Sequence, residues 1–129
     1  MNDYLVRALA REAGVRVIVS SNTGLALEAA SRHGSFPIAT VALAHALTGA
    51  ALLGAMLKVR QRIAIKFEGS GPLQKILVES NSNGRIRGYV SQPHIDLPDL
   101  SREEIAAALG DTGLLTVVRD VLLPELVES

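Results

Sequence analysis

Phe67-Glu68-Gly69-Ser70-Gly71-Pro72-Leu73, followed by Asn81-Ser82-Asn83-Gly84-Arg85-Ile86-Arg87-Gly88-Tyr89-Val90, is the stretch that decides the fold. From Arg62 onward Ile63, Ile65 and Phe67 alternate with Ala64, Lys66 and Glu68, the period of two that marks a half-buried strand. Gly69-Ser70-Gly71-Pro72 breaks that strand. Residues 75–80 resume the extended pattern, residues 81–84 supply an Asn-Gly turn, and residues 85–91 give a third strand. Three adjacent strands joined by short turns predict an antiparallel meander.

Immediately before the meander the period changes. Residues 36–57 run without a formal charge between Arg32 and Lys58, and Pro37 suits the first turn of a helix, where its missing N–H costs nothing. Length alone permits a membrane span. Seven Ala, two Gly, two Thr, Pro37 and His45 dilute the nine large apolar residues, so a helix buried in protein is expected instead. Ala44, Thr48, Ala51 and Ala55 form one stripe of that helix, with Ile38, Val41, Leu52 and Met56 on the opposite side.

At the N-terminal end, residues 4–11 and 15–20 read as a hairpin turning at Glu12-Ala13-Gly14, with Val15, Val17 and Val19 on one face. Ser21-Asn22-Thr23 offers N-cap choices for a helix to His33, and Gly34 is a C-terminal stop. Downstream of the meander, Ser101-Arg102-Glu103-Glu104 reads as a capping box for a helix ending at Gly110, and residues 114–119 read as a final strand. The fold class is therefore α+β: an antiparallel or mixed sheet packed on a long central apolar helix, in a single domain spanning residues 1–129.

Composition narrows the function. The chain is 48% hydrophobic, which excludes a disordered tail, and only 3% aromatic, which disfavours base-stacking platforms. The absence of cysteine removes a disulfide framework and fits a cytoplasmic location. No signal-peptide pattern is read at the start, where Asp3, Arg7 and Arg11 interrupt the apolar residues. The net charge of zero conceals an asymmetry. Residues 1–92 hold eleven Lys/Arg against five Asp/Glu, a balance of +6, and residues 93–129 hold two against eight, a balance of −6. Mutual attraction of the two parts, within the fold or across a dimer, explains this better than a nucleic-acid partner.

The candidate chemistry is sparse. Gly69-Ser70-Gly71 lacks the following helix and the Gly-Lys-Ser/Thr ending of a phosphate loop, so a plain turn is expected. His45, mid-helix, has Gly49 at the i+4 position and is expected as a buried histidine bonded to backbone or hydroxyl. His33 and His94 have no ligand partner nearby in sequence. Glu103 and Glu104 point about 100° apart on a helix and do not make an acid–base pair. Arg85, Arg87, Lys66 and Lys75 read as a solvated outer sheet face before a phosphate-binding one. No nucleophile, base and oxyanion donors come together, and no enzyme activity is expected.

Several stretches in order and spacing resemble one family: Asp3-Tyr4-Leu5-Val6-Arg7-Ala8-Leu9-Ala10, Arg32-His33-Gly34, Gly54-Ala55-Met56-Leu57-Lys58, the meander, and Gly113-Leu114-Leu115-Thr116-Val117-Val118-Arg119-Asp120. Together they cover nearly the whole chain and resemble the 33 kDa heat-shock chaperonins, redox-regulated holdases that bind unfolding proteins under oxidative stress without ATP. The resemblance implies the N-terminal client-binding and dimerisation part of such a chaperone. It also implies that zinc belongs to the family's separate domain, on a Cys-x-Cys and a Cys-x-x-Cys. Neither motif is in this sequence, so no cofactor is expected on this chain.

The partners implied are unfolded or partly unfolded client proteins and a second copy of the chain, with no membrane and no nucleic acid. The apolar supply for a client or dimer surface is expected from Ile63, Ile65, Phe67, Ile76, Val78, Ile86 and Tyr89, with the long helix. Two other readings compete: a small basic-faced nucleic-acid-binding module, and a structural dimerisation domain without a client. Salt dependence of binding separates the first, because phosphate contacts weaken steeply with salt.

Overall fold

A computed structural model describes residues 3–35, 37–94 and 102–121. In chain order the elements are β1 (Tyr4–Ala10), β2 (Val15–Ser21), α1 (Thr23–His33), α2 (Pro37–Gly54), β3 (Gln61–Gly69), β4 (Lys75–Asn81), β5 (Ile86–Val90), α3 (Arg102–Leu109) and β6 (Gly113–Val121). Strands β1 and β2 form a separate two-stranded antiparallel sheet. The other four make an antiparallel sheet in the order β5-β4-β3-β6. The α+β class and the meander match the sequence reading, and β6 lies on the far side of β3. Phe36 and the expected Ser101 cap lie outside the described residues.

The core sits where α2 crosses the inner face of the meander. Ile63 and Ile65 of β3, Ile76 and Val78 of β4 and Val90 of β5 are buried against Ile38, Leu43 and Leu47 of α2. Fully burying a side chain of this size contributes about 1.5–3 kcal/mol. By length and hydropathy α2 passes as a candidate span, yet nine of its eighteen residues are buried inside the protein.

The buried residues of α2 follow neither of the two stripes read from the sequence. They run through Ile38, Ala39, Ala42, Leu43, Ala46, Leu47, Ala50, Ala51 and Gly54, mixing small and large residues, while Met56 is exposed. The helix is covered from more than one side, by the meander, by α1 and by β2, so its small residues admit close neighbours on both flanks. His45 is likewise exposed, a correction to the buried histidine expected: it lies off the stripe of α2 that the core covers.

Helix α1 obtains its N-cap from a distance. The Asn22 side chain donates to Ser20 Oγ and Thr48 Oγ1 and makes no cap bond. Instead the two carboxylate oxygens of Asp3 accept the N–H groups of Gly24 and Leu25, each at 2.8 Å. A carboxylate at this end satisfies orphan donors and complements the helix dipole. Gly34 closes the helix at φ 58, a left-handed geometry that favours glycine.

The Gly69-Ser70-Gly71-Pro72 turn has a task that its sequence does not announce. Gly71 N–H donates to Leu109 O at 3.0 Å and Leu73 N–H to Ala108 O at 2.9 Å, so the turn caps the carbonyl end of α3. A Cβ on Gly69 would lie 1.8 Å from Leu109 O, and one on Gly71 would lie 2.4 Å from Ala108 O. Those donors are spent on α3, which removes the anion-cradle reading.

Candidate functional site

The seven residues expected to supply an apolar surface divide sharply. Ile63, Ile65, Ile76 and Val78 are at most 6% exposed beneath α2, so in this fold they are core. Phe67 and Ile86 are half-buried at the margin of that core, and Tyr89, at 37%, faces out from β5. The period of two correctly put Ile63, Ile65 and Phe67 on one face. It carries no information on whether that face is covered.

Open apolar surface lies elsewhere. On the β1–β2 hairpin the register pairs Val6 with Val19, Ala8 with Val17 and Ala10 with Val15, and directly opposed residues share a face. Tyr4, Val6, Val17 and Val19 on this face are 57%, 51%, 49% and 51% exposed. The opposite face is covered in part: Arg7 donates to Ala55 O at 3.1 Å and Ile18 and Ser20 are half-buried, while Leu5 and Leu9 are exposed. The hairpin therefore presents to solvent an apolar face that ends at the Tyr4–Ser21 pair, while Arg7 tethers it to the end of α2.

A second open region is β6. Leu115 and Val117 extend the row begun by Phe67 and Ile65, Leu114 and Val118 lie on the other face, and all four are exposed. Among the described residues β6 pairs with β3 alone. An apolar strand whose second edge has no pairing partner among the described residues is a template for another extended segment.

The outer sheet face is polar and largely self-paired. Lys66 meets Glu68 at 3.0 Å, Arg87 pairs with Glu79, and Lys75 sits 5.8 Å from the centre of the Tyr89 ring. Arg62 meets Asp120 at 3.0 Å, an ion pair joining the basic part of the sequence to its acidic part within one chain. Three of the four residues weighed for a phosphate face, Lys66, Lys75 and Arg87, thus already have partners. His33 Nε2 lies 2.9 Å from Gly88 O, and no group of three His, Asp or Glu able to hold a metal occurs among the described residues. The arrangement offers broad, non-directional apolar contact.

A family model described as "Hsp33 protein" matches residues 3–127. The chain belongs to the Hsp33 family. The 33 kDa chaperonin of Geobacter sulfurreducens is 48% identical over 126 residues, covering 97% of this chain and 42% of that protein. The 33 kDa chaperonin of a Geobacillus species is 44% identical over 123 residues, 94% of this chain and 42% of its own. The crystal structure of the 33 kDa chaperonin from Thermotoga maritima superposes with a TM-score of 0.84 at 34% identity, covering 93% of this chain and 42% of that one. The chain thus spans less than half the length of the Hsp33 relatives it matches. The Hsp33 membership agrees with the resemblance carried by the meander and its flanking stretches.

Proposed function

We propose that this chain carries the N-terminal client-binding part of an Hsp33 holdase, and that it captures unfolding polypeptides without ATP on the open apolar face of the β1–β2 hairpin. The observation that carries this reading is the run of Tyr4, Val6, Val17 and Val19 on an exposed sheet face. Promiscuous capture needs apolar area without sharply placed polar groups, and this face meets that requirement. Tyr89, Ile86 and Phe67 form a second margin, and the buried Ile63, Ile65, Ile76 and Val78 hold the scaffold beneath.

The same reading assigns the chain a cytoplasmic location, a homodimeric state and no enzyme activity. The family's redox switch, with its zinc on four cysteines, is not carried by these residues, since the sequence has no cysteine. Capture by this chain is therefore independent of thiol chemistry.

The test is light scattering of a chemically unfolded client diluted into buffer with the chain present, with and without ATP, at low and high salt. Suppressed aggregation that is indifferent to ATP and persists at high salt supports the reading. Binding of nucleic acid that collapses with salt, with no effect on the client, would favour the phosphate-binding alternative.

A further inference from the structure

We propose that α1 is a hinged cover, latched at its two ends by a few polar contacts, and that its undocking enlarges the client surface. The inference rests on the client-binding reading above and adds a means of regulating it.

Helix α1 has no buried residue. Its apolar hold on the core is through Leu25 and Ala29, one helical turn apart, with Ala26 and Ala30 half-buried beside them and Asn22 reaching Thr48 Oγ1 at 3.4 Å. Packing on either side is incomplete. A cleft of about 550 Å³ opens at its N-terminal end, bounded by Leu25, Ala51, Gly54 and Ile86, and one of about 220 Å³ lies toward its C-terminal end beside Ala29, Leu47 and Gly88. Few buried apolar contacts mark a segment that opens locally at less cost than the whole fold.

The latches are specific. At one end Asp3, on the residue preceding β1, holds the N–H groups of Gly24 and Leu25. At the other His33 Nε2 meets Gly88 O, where β5 comes so close to its neighbours that a Cβ on residue 88 would lie 2.6 Å from Val78 Cγ1. Both polar contacts are solvent-exposed. Because Asn22 does not cap the helix itself, loss of the Asp3 contact leaves those donors to water.

Beneath the cover lie Leu47 of α2, 1% exposed, and Ile86 of β5, half-buried. Undocking would uncover them together with Leu25 and Ala29. The new strip adjoins the hairpin, since Asp3 leads directly into β1. A client engaging the hairpin face would thus find a larger apolar surface whenever α1 is away.

The chain contains no cysteine, so a designed pair is the sole thiol chemistry present. A Cβ on residue 24 would lie 3.3 Å from Asp3 Cγ, close to the approach that a disulfide requires. The experiment uses the 129-residue chain with Asp3→Cys and Gly24→Cys, compared oxidised and reduced. It reads amide hydrogen exchange across residues 25–33 and suppression of aggregation of a cysteine-free client. Oxidised, α1 is expected to exchange as slowly as β3 and β4, with capture reduced severalfold below wild type. Reduced, with the carboxylate latch gone, α1 should exchange at least about tenfold faster than wild type, with capture raised.

A second variant, His33→Ala, releases the opposite latch without touching the helix start. It should move exchange and capture in the same direction as the reduced pair. Capture equal in the oxidised, reduced and wild-type chains, despite a measured change in α1 exchange, would overturn the proposal. So would wild-type α1 amides that exchange only with the global unfolding of β3 and β4. Absence of capture in every form, wild type included, would instead defeat the client reading on which the proposal rests.

Discussion

Gly54, the last residue of α2, is pressed against Ser80 of β4: a Cβ on residue 54 would lie 1.9 Å from Ser80 Oγ and 3.2 Å from Ser80 Cβ. Ser80 is itself 3% exposed, so neither partner has room to give way toward solvent. Gly54→Ala is expected to cost about 1–3 kcal/mol in urea unfolding, the range for overpacking a filled core. Adding Ser80→Ala removes the oxygen and leaves the 3.2 Å contact, so the double variant should recover part of that loss. A double-mutant cycle measures the coupling, and strict additivity would contradict the contact.

The turn that decides the fold also fixes α3. Gly69→Ala and Gly71→Ala each drive a Cβ into a carbonyl oxygen at the end of α3, so both should lower the unfolding midpoint and speed amide exchange in residues 105–109. Gly49→Ala is the control, because nothing lies within 4 Å of its Cβ in the middle of α2. That substitution should stabilise the chain by about 0.5–1 kcal/mol.

The meander was legible in the sequence because its turns and its period agreed at each strand. What those strands touch was not legible. The row of Ile63, Ile65 and Phe67 identifies one face of β3 and leaves open whether a helix, water or a client covers it. Asp3 as the cap of α1 was out of reach for a different reason: local capping rules look within four residues of a helix start, and this carboxylate arrives from about twenty residues earlier. Val15, Val17 and Val19 share one face by the alternation of the sequence alone. Their pairing with Ala10, Ala8 and Val6 needed the register.

Thiol reagents should leave this chain unchanged. With no cysteine, neither diamide nor dithiothreitol has a group to act on, so client capture and thermal midpoint should agree across oxidising and reducing buffers. A redox-dependent difference in the purified chain would contradict the assignment of the switch to residues outside it.

Association should be apolar in origin. Arg62 and Asp120 already neutralise one another within a single chain, while among the described residues β6 pairs with β3 alone and exposes Leu114, Leu115, Val117 and Val118. Static light scattering at micromolar concentration is therefore expected to show dimers that persist at high salt, where exposed ion pairs are screened. A monomer at both salt concentrations would contradict the homodimer.

The central claim is that the hairpin face captures clients, and one pair of substitutions addresses it directly. Val6 and Val19 stand opposite one another across β1 and β2. Val6→Glu with Val19→Lys replaces apolar surface by a cross-strand ion pair that is compatible with the hairpin. Aggregation of an unfolded client is then followed by light scattering without ATP. The account predicts that the paired variant keeps the wild-type unfolding midpoint and loses most of its suppression of aggregation. Full suppression by a variant that remains folded would contradict it.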